Sequence, residues 1–422
     1  MPTTTLEAPA VTSYGWRQKI IRKLFSGMTK GKLLLKYSDG TEEQYGEENH
    51  PVEAEIHLVE DLEFFKQCVA FGNVGLGESY ITAVWNTPDI KAVISFFIRN
   101  MNAKMGAKAS SNKLKAVNKL KFVNKLFHLA RANTVRNSKM NISEHYDLGN
   151  DFYKLFLDKS MTYSSGLFQD ENSTLEASQF AKYDALCKKM KIKAGDEVLE
   201  IGCGWGGFAC HAAENYGCNV TGVTISEEQY KYAVQRVKDA GFSDKVDLRL
   251  QDYREITGKF DHIVSIEMLE AVGDKFLPGY FKRCDELLKP EGLLGIQIIT
   301  VPDCRYDELK RGVDFIQRHI FPGSLLLSLG RINEVMKKTG TLTTFQINDM
   351  GPDYAKTLAE WHVRFNDKLD EVKAQGFDEA FVRKWNYYLK YCEAAFATRN
   401  ISVVQAIYTK PNNEKHSALR PV

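Results

Sequence analysis

The sequence predicts an α/β protein: a mostly parallel, seven-stranded sheet of Rossmann-like form, preceded by a smaller α+β module. Two observations carry this. From residue 197 onward, apolar strand-like runs alternate with helical ones, the pattern of a parallel sheet covered on both faces. Between the first of those strands and the helix after it stand Gly202, Gly204, Gly206 and Gly207. Missing side chains there let backbone approach a ligand and adopt unusual dihedrals.

Residues 1–110 read as the α+β module, for which lipid binding and dimerisation are both open. A strand over 32–37 stops at the turn signal Ser38-Asp39-Gly40, and 59–71 has helical character. Residues 111–141 read as a basic amphipathic connector. No Asp or Glu occurs between Ile90 and Ser143, whereas ten Lys or Arg fall between Met101 and Asn141. Leu114, Val117, Leu120, Val123, Leu126 and Phe127 recur at steps of three and four, giving one apolar helical face among cations such as Lys115, Lys119 and Lys121. Such a helix suits an anionic membrane surface; the alternative is an interdomain helix with solvated lysines. Residues 142–410 form the catalytic domain, with strands predicted over 197–201, 219–225, 246–250, 262–266 and 293–300 and helices over 227–240 and 277–288. Two further strands, 341–347 and 401–408, are expected to form the antiparallel end of the sheet. Residues 411–422 read as a flexible tail.

Composition narrows the classes. A chain of 422 residues suits two domains, and 44% apolar with 26% charged residues are globular values. The apolar runs 92–98 and 325–329 fall far short of the roughly 20 residues that span a bilayer. Residues 1–13 lack the basic start, apolar core and cleavage site of a secretory signal. The expectation is a cytoplasmic protein, peripherally associated with the membrane. Eight cysteines without a Cys-x-x-Cys pair predict reduced thiols and no metal site. Nucleic acid is not an expected partner, since no RNA- or DNA-binding motif is present.

Gly202, Gly204 and Gly207 also satisfy Gly-x-Gly-x-x-Gly, with Glu227 about twenty residues further on as a ribose acid. A nicotinamide- or flavin-dependent dehydrogenase is therefore one reading, and a turn that needs glycine only for packing is another. The surrounding motifs favour a third. Through Glu144-His-Tyr-Asp-Leu148, Met161-Thr-Tyr-Ser-Ser165, Leu199-Glu-Ile-Gly-Cys-Gly-Trp-Gly-Gly207, Gly222-Val-Thr-Ile-Ser226, Gln251-Asp-Tyr-Arg254, Val264-Ser-Ile-Glu-Met-Leu-Glu-Ala-Val-Gly273, Leu287-Leu-Lys-Pro-Glu-Gly292 and Ile320-Phe-Pro-Gly323, the chain resembles the cyclopropane fatty acid synthase and mycolic acid cyclopropane synthase family of S-adenosylmethionine-dependent methyltransferases. The resemblance runs from about residue 142 to 410, with a looser match upstream. It implies a class I methyltransferase fold. It places S-adenosylmethionine across Gly202 and Gly204, with Tyr163 and Ser164 over the methionine end and Glu200 at the glycine loop or the amino-acid end. Thr224, Ile225 and Gln229 then lie near ribose and adenine, and Asp252 and Tyr253 border the adenine. Residue types agree, since Gln229 and backbone amides can hydrogen-bond ribose and carboxylate and Asp252 can accept from an exocyclic amine.

The same resemblance implies methyl transfer to the cis double bond of an unsaturated phospholipid acyl chain, through a carbocation that loses a proton to close a cyclopropane. Aromatic faces can stabilise such a cation; Tyr163, Phe168, Trp205 and Tyr354 are candidates. In the family a bicarbonate ion takes the proton, which here implies a site made by Glu270, Tyr354 and the Ile299 backbone. Ser165 and Gln297 stand where the family has a cysteine and a histidine. Both can donate hydrogen bonds, but Gln297 cannot become cationic. The expectation is that Glu270 and Tyr354 form the core of the proton-accepting site, with Ser165 and Gln297 orienting an anion or a water. A methylene or methyl-branched acyl product, and a small-molecule N- or C-methyltransferase, are the alternatives; a scaffold that binds without chemistry is a third. A homodimer is compatible with the sequence.

Overall fold

The computed structural model describes residues 15–101 and 148–416, which form two compact units. The basic connector 111–141 and most of the motif at 144–148 lie outside the described residues.

In the first unit β1 (Lys32–Lys36) and β2 (Glu42–Gly46) form a hairpin. β3 (Ala54–Leu58) runs parallel to β1, and the short β4 (Trp85–Asn86) pairs antiparallel with β3, giving the order β2-β1-β3-β4. Leu33, Leu35 and Ile56 of the sheet, with Phe64, Phe65, Trp85, Val93 and Phe96, are buried. The helix read over 59–71 starts at Asp61, and a second, Asn73–Ile81, follows it closely. Gly75 permits their approach: a Cβ there would stand 2.1 Å from the carbonyl oxygen of Gln67.

The second unit is built on a seven-stranded sheet: β5 (Glu197–Ile201), β6 (Asn219–Thr224), β7 (Val246–Leu250), β8 (Phe260–Ile266), β9 (Leu288–Thr300), β10 (Thr343–Asp349) and β11 (Ser402–Thr409), in the order β10-β11-β9-β8-β5-β6-β7. The strands predicted from the apolar runs are all present. β9 begins five residues earlier than the predicted 293–300, because Leu288 still pairs with Phe260 across a register shift. The antiparallel end is smaller than expected. Only β11 runs against its neighbours β9 and β10, so β10 points the same way as the parallel set. The excursion through the helices Gly351–Asp367 and Glu379–Ala397 is long enough to return the chain between β9 and β10.

β5 has β6 on one side and β8 on the other, so successive connections leave it in opposite directions. That is the topological switch point, where a crevice opens beyond the strands' carboxyl ends. Its floor is Gly202 to Gly207, Thr224 to Ile225, and Glu267 to Glu270. Its roof comes from the helices Gly351–Asp367 and Glu379–Ala397, which pack on each other. A cluster of rings anchors them. Phe152 meets Tyr153, Phe156, Phe365, Phe377, Phe381 and Trp385 at centroid distances between 4.9 and 6.2 Å. Among the described residues no helix is long and apolar enough to cross a membrane, and the eight cysteines are free thiols.

Phe152 is fully buried in that cluster. Phe152→Ala should therefore destabilise the second unit by about 3–5 kcal/mol. Urea denaturation of the full chain followed by tryptophan fluorescence checks this, Trp385 being 4.9 Å away; an unchanged midpoint would show that the cluster does not anchor the roof.

Candidate active site

A cavity of about 370 Å³ fills the crevice. Every residue expected to hold the cofactor lines it: Tyr163, Ser164, Glu200, Gly202, Gly204, Thr224, Ile225, Gln229, Asp252 and Tyr253. The glycine loop is shaped by left-handed backbone, with φ of 86°, 51° and 81° at Gly202, Gly204 and Gly206. A Cβ at Gly202 would stand 2.9 Å from Met268, whereas one at Gly204 would meet nothing within 4 Å. Gly204 is thus the place where backbone lies bare to the cavity. Beneath it the Glu200 carboxyl is buried, its Oε2 has no partner among the described residues, and burial pushes its pKa up to about 8. Thr224 donates to Gln229 Oε1 at 3.0 Å. Asp252 holds Arg254 through both oxygens, at 2.8 and 2.6 Å, so this acceptor is already charge-paired. Glu227, the ribose acid of the dehydrogenase reading, is exposed and away from the cavity.

The segment Met161 to Phe168 crosses the cavity's side and is held along its length. Ser164 accepts from Lys182 Nζ at 2.6 Å and, through its carbonyl, from Gln179 at 3.0 Å. Gly166 N–H donates to Thr357 at 3.0 Å and Phe168 N–H to Asp353 at 2.7 Å, tying the segment to the roof helix. Tyr163 bonds Tyr388 at 2.8 Å and lies 5.1 Å from Trp361. Lys182 is fully buried on the helix Leu175–Met190, and desolvation lowers its pKa to about 7.

The end of the cavity expected to accept the proton holds two carboxyls. Glu270 Oε1 accepts from the Ile299 N–H at 2.7 Å, while its Oε2 has no partner among the described residues. Burial and the nearby Glu267 push Glu270 up to about 8. Glu267, just past the end of β8, also lines the cavity. Its Oε1 accepts from the Ser165 N–H at 2.9 Å and from Gln297 Nε2 at 2.8 Å, and it hydrogen-bonds Tyr354. Burial raises its pKa, opposed first by the charge of Lys182. Tyr354 is raised well above its usual value by burial and by Glu267, which keeps it a hydrogen donor.

Of the residues expected at the proton-accepting site, Glu270, Ile299 and Tyr354 line the cavity, whereas Ser165 and Gln297 do not. Both are fully buried and neither lines it. The Ser165 hydroxyl turns back to the Gly166 carbonyl at 2.9 Å. Gln297 Nε2 is spent on Glu267 and the Ser165 carbonyl, and its Oε1 accepts from Gln405. The donors expected to orient an anion are thus engaged within the protein, Ser165 by a main-chain carbonyl and Gln297 chiefly by Glu267, and the residues present do not fit a bicarbonate ion. Phe168 also lies off the cavity, under the ammonium of Lys356 at 4.3 Å. Trp205 lines it, with Nε1 donating to Asn150 at 2.7 Å. Sequence reasoning missed Glu267, Lys182 and Tyr388. For Glu267 a signal existed, an acid directly after a strand's carboxyl end, where α/β sheets place ligands.

Known proteins share both sequence and fold with this chain. A sequence model of the mycolic acid cyclopropane synthetase family matches residues 133–406. A tuberculostearic acid methyltransferase of Mycobacterium tuberculosis is 35% identical over 383 residues, covering 88% of this chain and 86% of that protein. The cyclopropane-fatty-acyl-phospholipid synthase of Escherichia coli is 34% identical, covering 83% of this chain and 87% of that one. Among solved structures, the mycolic acid cyclopropane synthase CmaA1 complexed with S-adenosylhomocysteine and CTAB superposes with a TM-score of 0.60 at 30% identity, over 64% of this chain and 98% of that one.

Burial of Glu270 has a consequence for stability. In the unfolded chain the carboxyl ionises near 4.3; in the folded protein it keeps its proton to about 8. The folded state therefore binds more protons in between, and its stabilising contribution, full below the unfolded pKa, is lost as pH rises toward 8. Between about pH 5 and 7 the parent should lose stability relative to Glu270→Gln, by up to about 1.4 kcal/mol per pH unit. Urea midpoints across that window test it; a constant gap between the two proteins would mean that the folded carboxyl is ionised.

Proposed function

Starting from the mycolic acid cyclopropane synthetase family, to which this chain belongs, we propose that it methylates the cis double bond of an unsaturated phospholipid acyl chain and forms a cyclopropane. The chain is an S-adenosylmethionine-dependent methyltransferase. One observation carries the lipid reading: the cavity runs from the glycine loop into an apolar region lined by Leu325, Leu326, Leu358, Ile401 and Phe396, beneath the rings of Tyr163, Tyr354 and Tyr388.

The residues present fit S-adenosylmethionine. The bare backbone at Gly204 leaves room for it, and the orphaned Glu200 carboxyl offers an acceptor to its cationic amino-acid end. Thr224 and Gln229 stand at the next strand end, for the ribose. When bound, the cofactor supplies a methyl on a positive sulfur that an electron-rich atom can attack directly.

The chain's own residues then have three tasks. Lys182, Gln179 and Arg236 fix the segment 160–164 so that Tyr163 and Ser164 close the cavity's side, which aligns donor and double bond and excludes water. The faces of Tyr163, Trp205 and Tyr354 border the place where positive charge develops. Glu270, Glu267 and Tyr354 supply the proton-accepting end, and nothing in this reaction passes through a bicarbonate ion. If a hydride shifts to the cationic carbon before the proton leaves, the product is a methylene chain, the precursor of a methyl branch. The similarity to a tuberculostearic acid methyltransferase favours that second reading.

Cells expressing the protein, fed a methyl-labelled precursor of S-adenosylmethionine, should contain an unsaturated acyl chain enlarged by one labelled carbon. Gas chromatography with mass spectrometry separates the cyclopropane from a methylene or methyl-branched chain. If the purified protein binds the cofactor while no lipid gains label, a small-molecule acceptor replaces the lipid.

Peripheral docking on an anionic membrane is part of this proposal, since the double bond lies deep in a bilayer and the segment 111–141 is basic and amphipathic. Replacing Lys115, Lys119 and Lys121 with alanine should weaken binding to phosphatidylglycerol liposomes and flatten its dependence on salt. Sedimentation with liposomes at two salt concentrations measures both; unchanged association removes the connector from docking.

A further inference from the structure

We infer that Glu267 is the proton acceptor of the reaction, a carboxylate of the chain's own that stands in place of an exogenous anion. The inference rests on the lipid-methylation reading above.

Glu267 reaches the cavity and is held from every side. Ser165 N–H and Gln297 Nε2 converge on Oε1 at 2.9 and 2.8 Å, and the Tyr354 hydroxyl also bonds the carboxylate. Gln297 has no freedom to turn, because its Oε1 accepts from Gln405 Nε2 at 3.1 Å. Its NH2 group therefore faces Glu267. Behind it the buried Lys182 ammonium acts on Glu267 through its charge. The backbone is committed as well: Glu267 has φ of 48°, a left-handed conformation unusual for a residue with a side chain, and its N–H donates to the Gln297 carbonyl at 2.7 Å. Glu270 differs in kind. It has one backbone donor and an orphaned oxygen, and it keeps its proton to about 8. Two carboxyls with unequal surroundings divide the roles, and it is on Glu267 that the side-chain and main-chain donors converge.

The electrons balance without another reactant. The double bond's π pair forms the bond to the methyl carbon as the carbon–sulfur pair stays on sulfur, leaving a cation on the second carbon. Glu267 takes a proton from the new methyl. The released C–H pair closes the three-membered ring, or, after a hydride shift, forms the methylene double bond. The positive charge of the sulfonium ends as the proton on Glu267, which passes to solvent after product leaves.

The test uses the full chain, methyl-labelled S-adenosylmethionine and vesicles of cis-unsaturated phosphatidylglycerol in buffer freed of carbon dioxide. The parent should turn over equally with and without added bicarbonate. Glu267→Gln should fall by at least about 100-fold, with cofactor binding by calorimetry retained. Glu267→Gly, which suits the backbone conformation and leaves the same donors facing an empty space, should regain turnover with added bicarbonate or formate. The inference is overturned if the parent stops without bicarbonate and recovers with it, a comparison that needs no variant. It is equally overturned if Glu267→Gln stays within about threefold of the parent. A parent that labels no lipid while binding the cofactor would sink the lipid reading, and this inference with it.

Discussion

Burying a carboxylate is costly unless it is paired and hydrogen-bonded, and the second unit is arranged around meeting that demand at Glu267. Each partner comes from a different part of the chain. Ser165 arrives on the segment that crosses the cavity, Gln297 on β9, Tyr354 on the roof helix and Lys182 on the helix Leu175–Met190. β11 completes the set, since its insertion beside β9 places Gln405 opposite Gln297 in the strand register. Partly satisfied polar networks in a low-dielectric interior are unstable. Satisfying this one fixes the roof, the side segment and the antiparallel strand relative to the parallel sheet.

The same network explains how a cavity built for a cation can be mostly apolar. A sulfonium and a developing carbocation both need negative potential nearby, yet several ionised carboxylates in one enclosed space would repel one another. Glu200 and Glu270 avoid this by holding protons at neutral pH. At Glu267 burial also raises the pKa, opposed by the charge of Lys182 and by the donors that converge on the carboxyl. Aromatic faces then cover the remaining wall, giving electrostatic stabilisation without a hydration shell that could attack the cation.

Much of this was legible in the sequence. The glycine loop and the first four parallel strands follow from strand–helix alternation, and the ten residues that the family resemblance assigned to the cofactor all line the cavity. Ser165 was misread because identity describes a side chain, while the structure uses its main-chain N–H. Gln297 was misread because its donors meet another residue rather than the cavity, which is a matter of tertiary register. Lys182 illustrates a different limit. A lysine on a helix ordinarily marks the solvated face, yet Leu175, Ser178, Gln179, Lys182 and Leu186 follow three- and four-residue steps and share one buried stripe. The period was present; the charge obscured it. β10 was assigned to an antiparallel end because period-two patterning carries no strand direction.

The backbone at Glu267 shows how firmly its surroundings dictate this arrangement. A left-handed conformation costs a residue with a Cβ roughly 1–2 kcal/mol, and such strain persists only where the surroundings over-determine it. A glycine at this position would remove the penalty and keep the N–H donated to Gln297. It would also leave the Ser165 N–H and one N–H of Gln297 as buried donors facing an empty, anion-sized space, a state that itself costs about 1–3 kcal/mol for each unmet group. The local strain is therefore offset by the donors it satisfies. That balance accounts for an acidic side chain standing where the backbone alone would favour glycine.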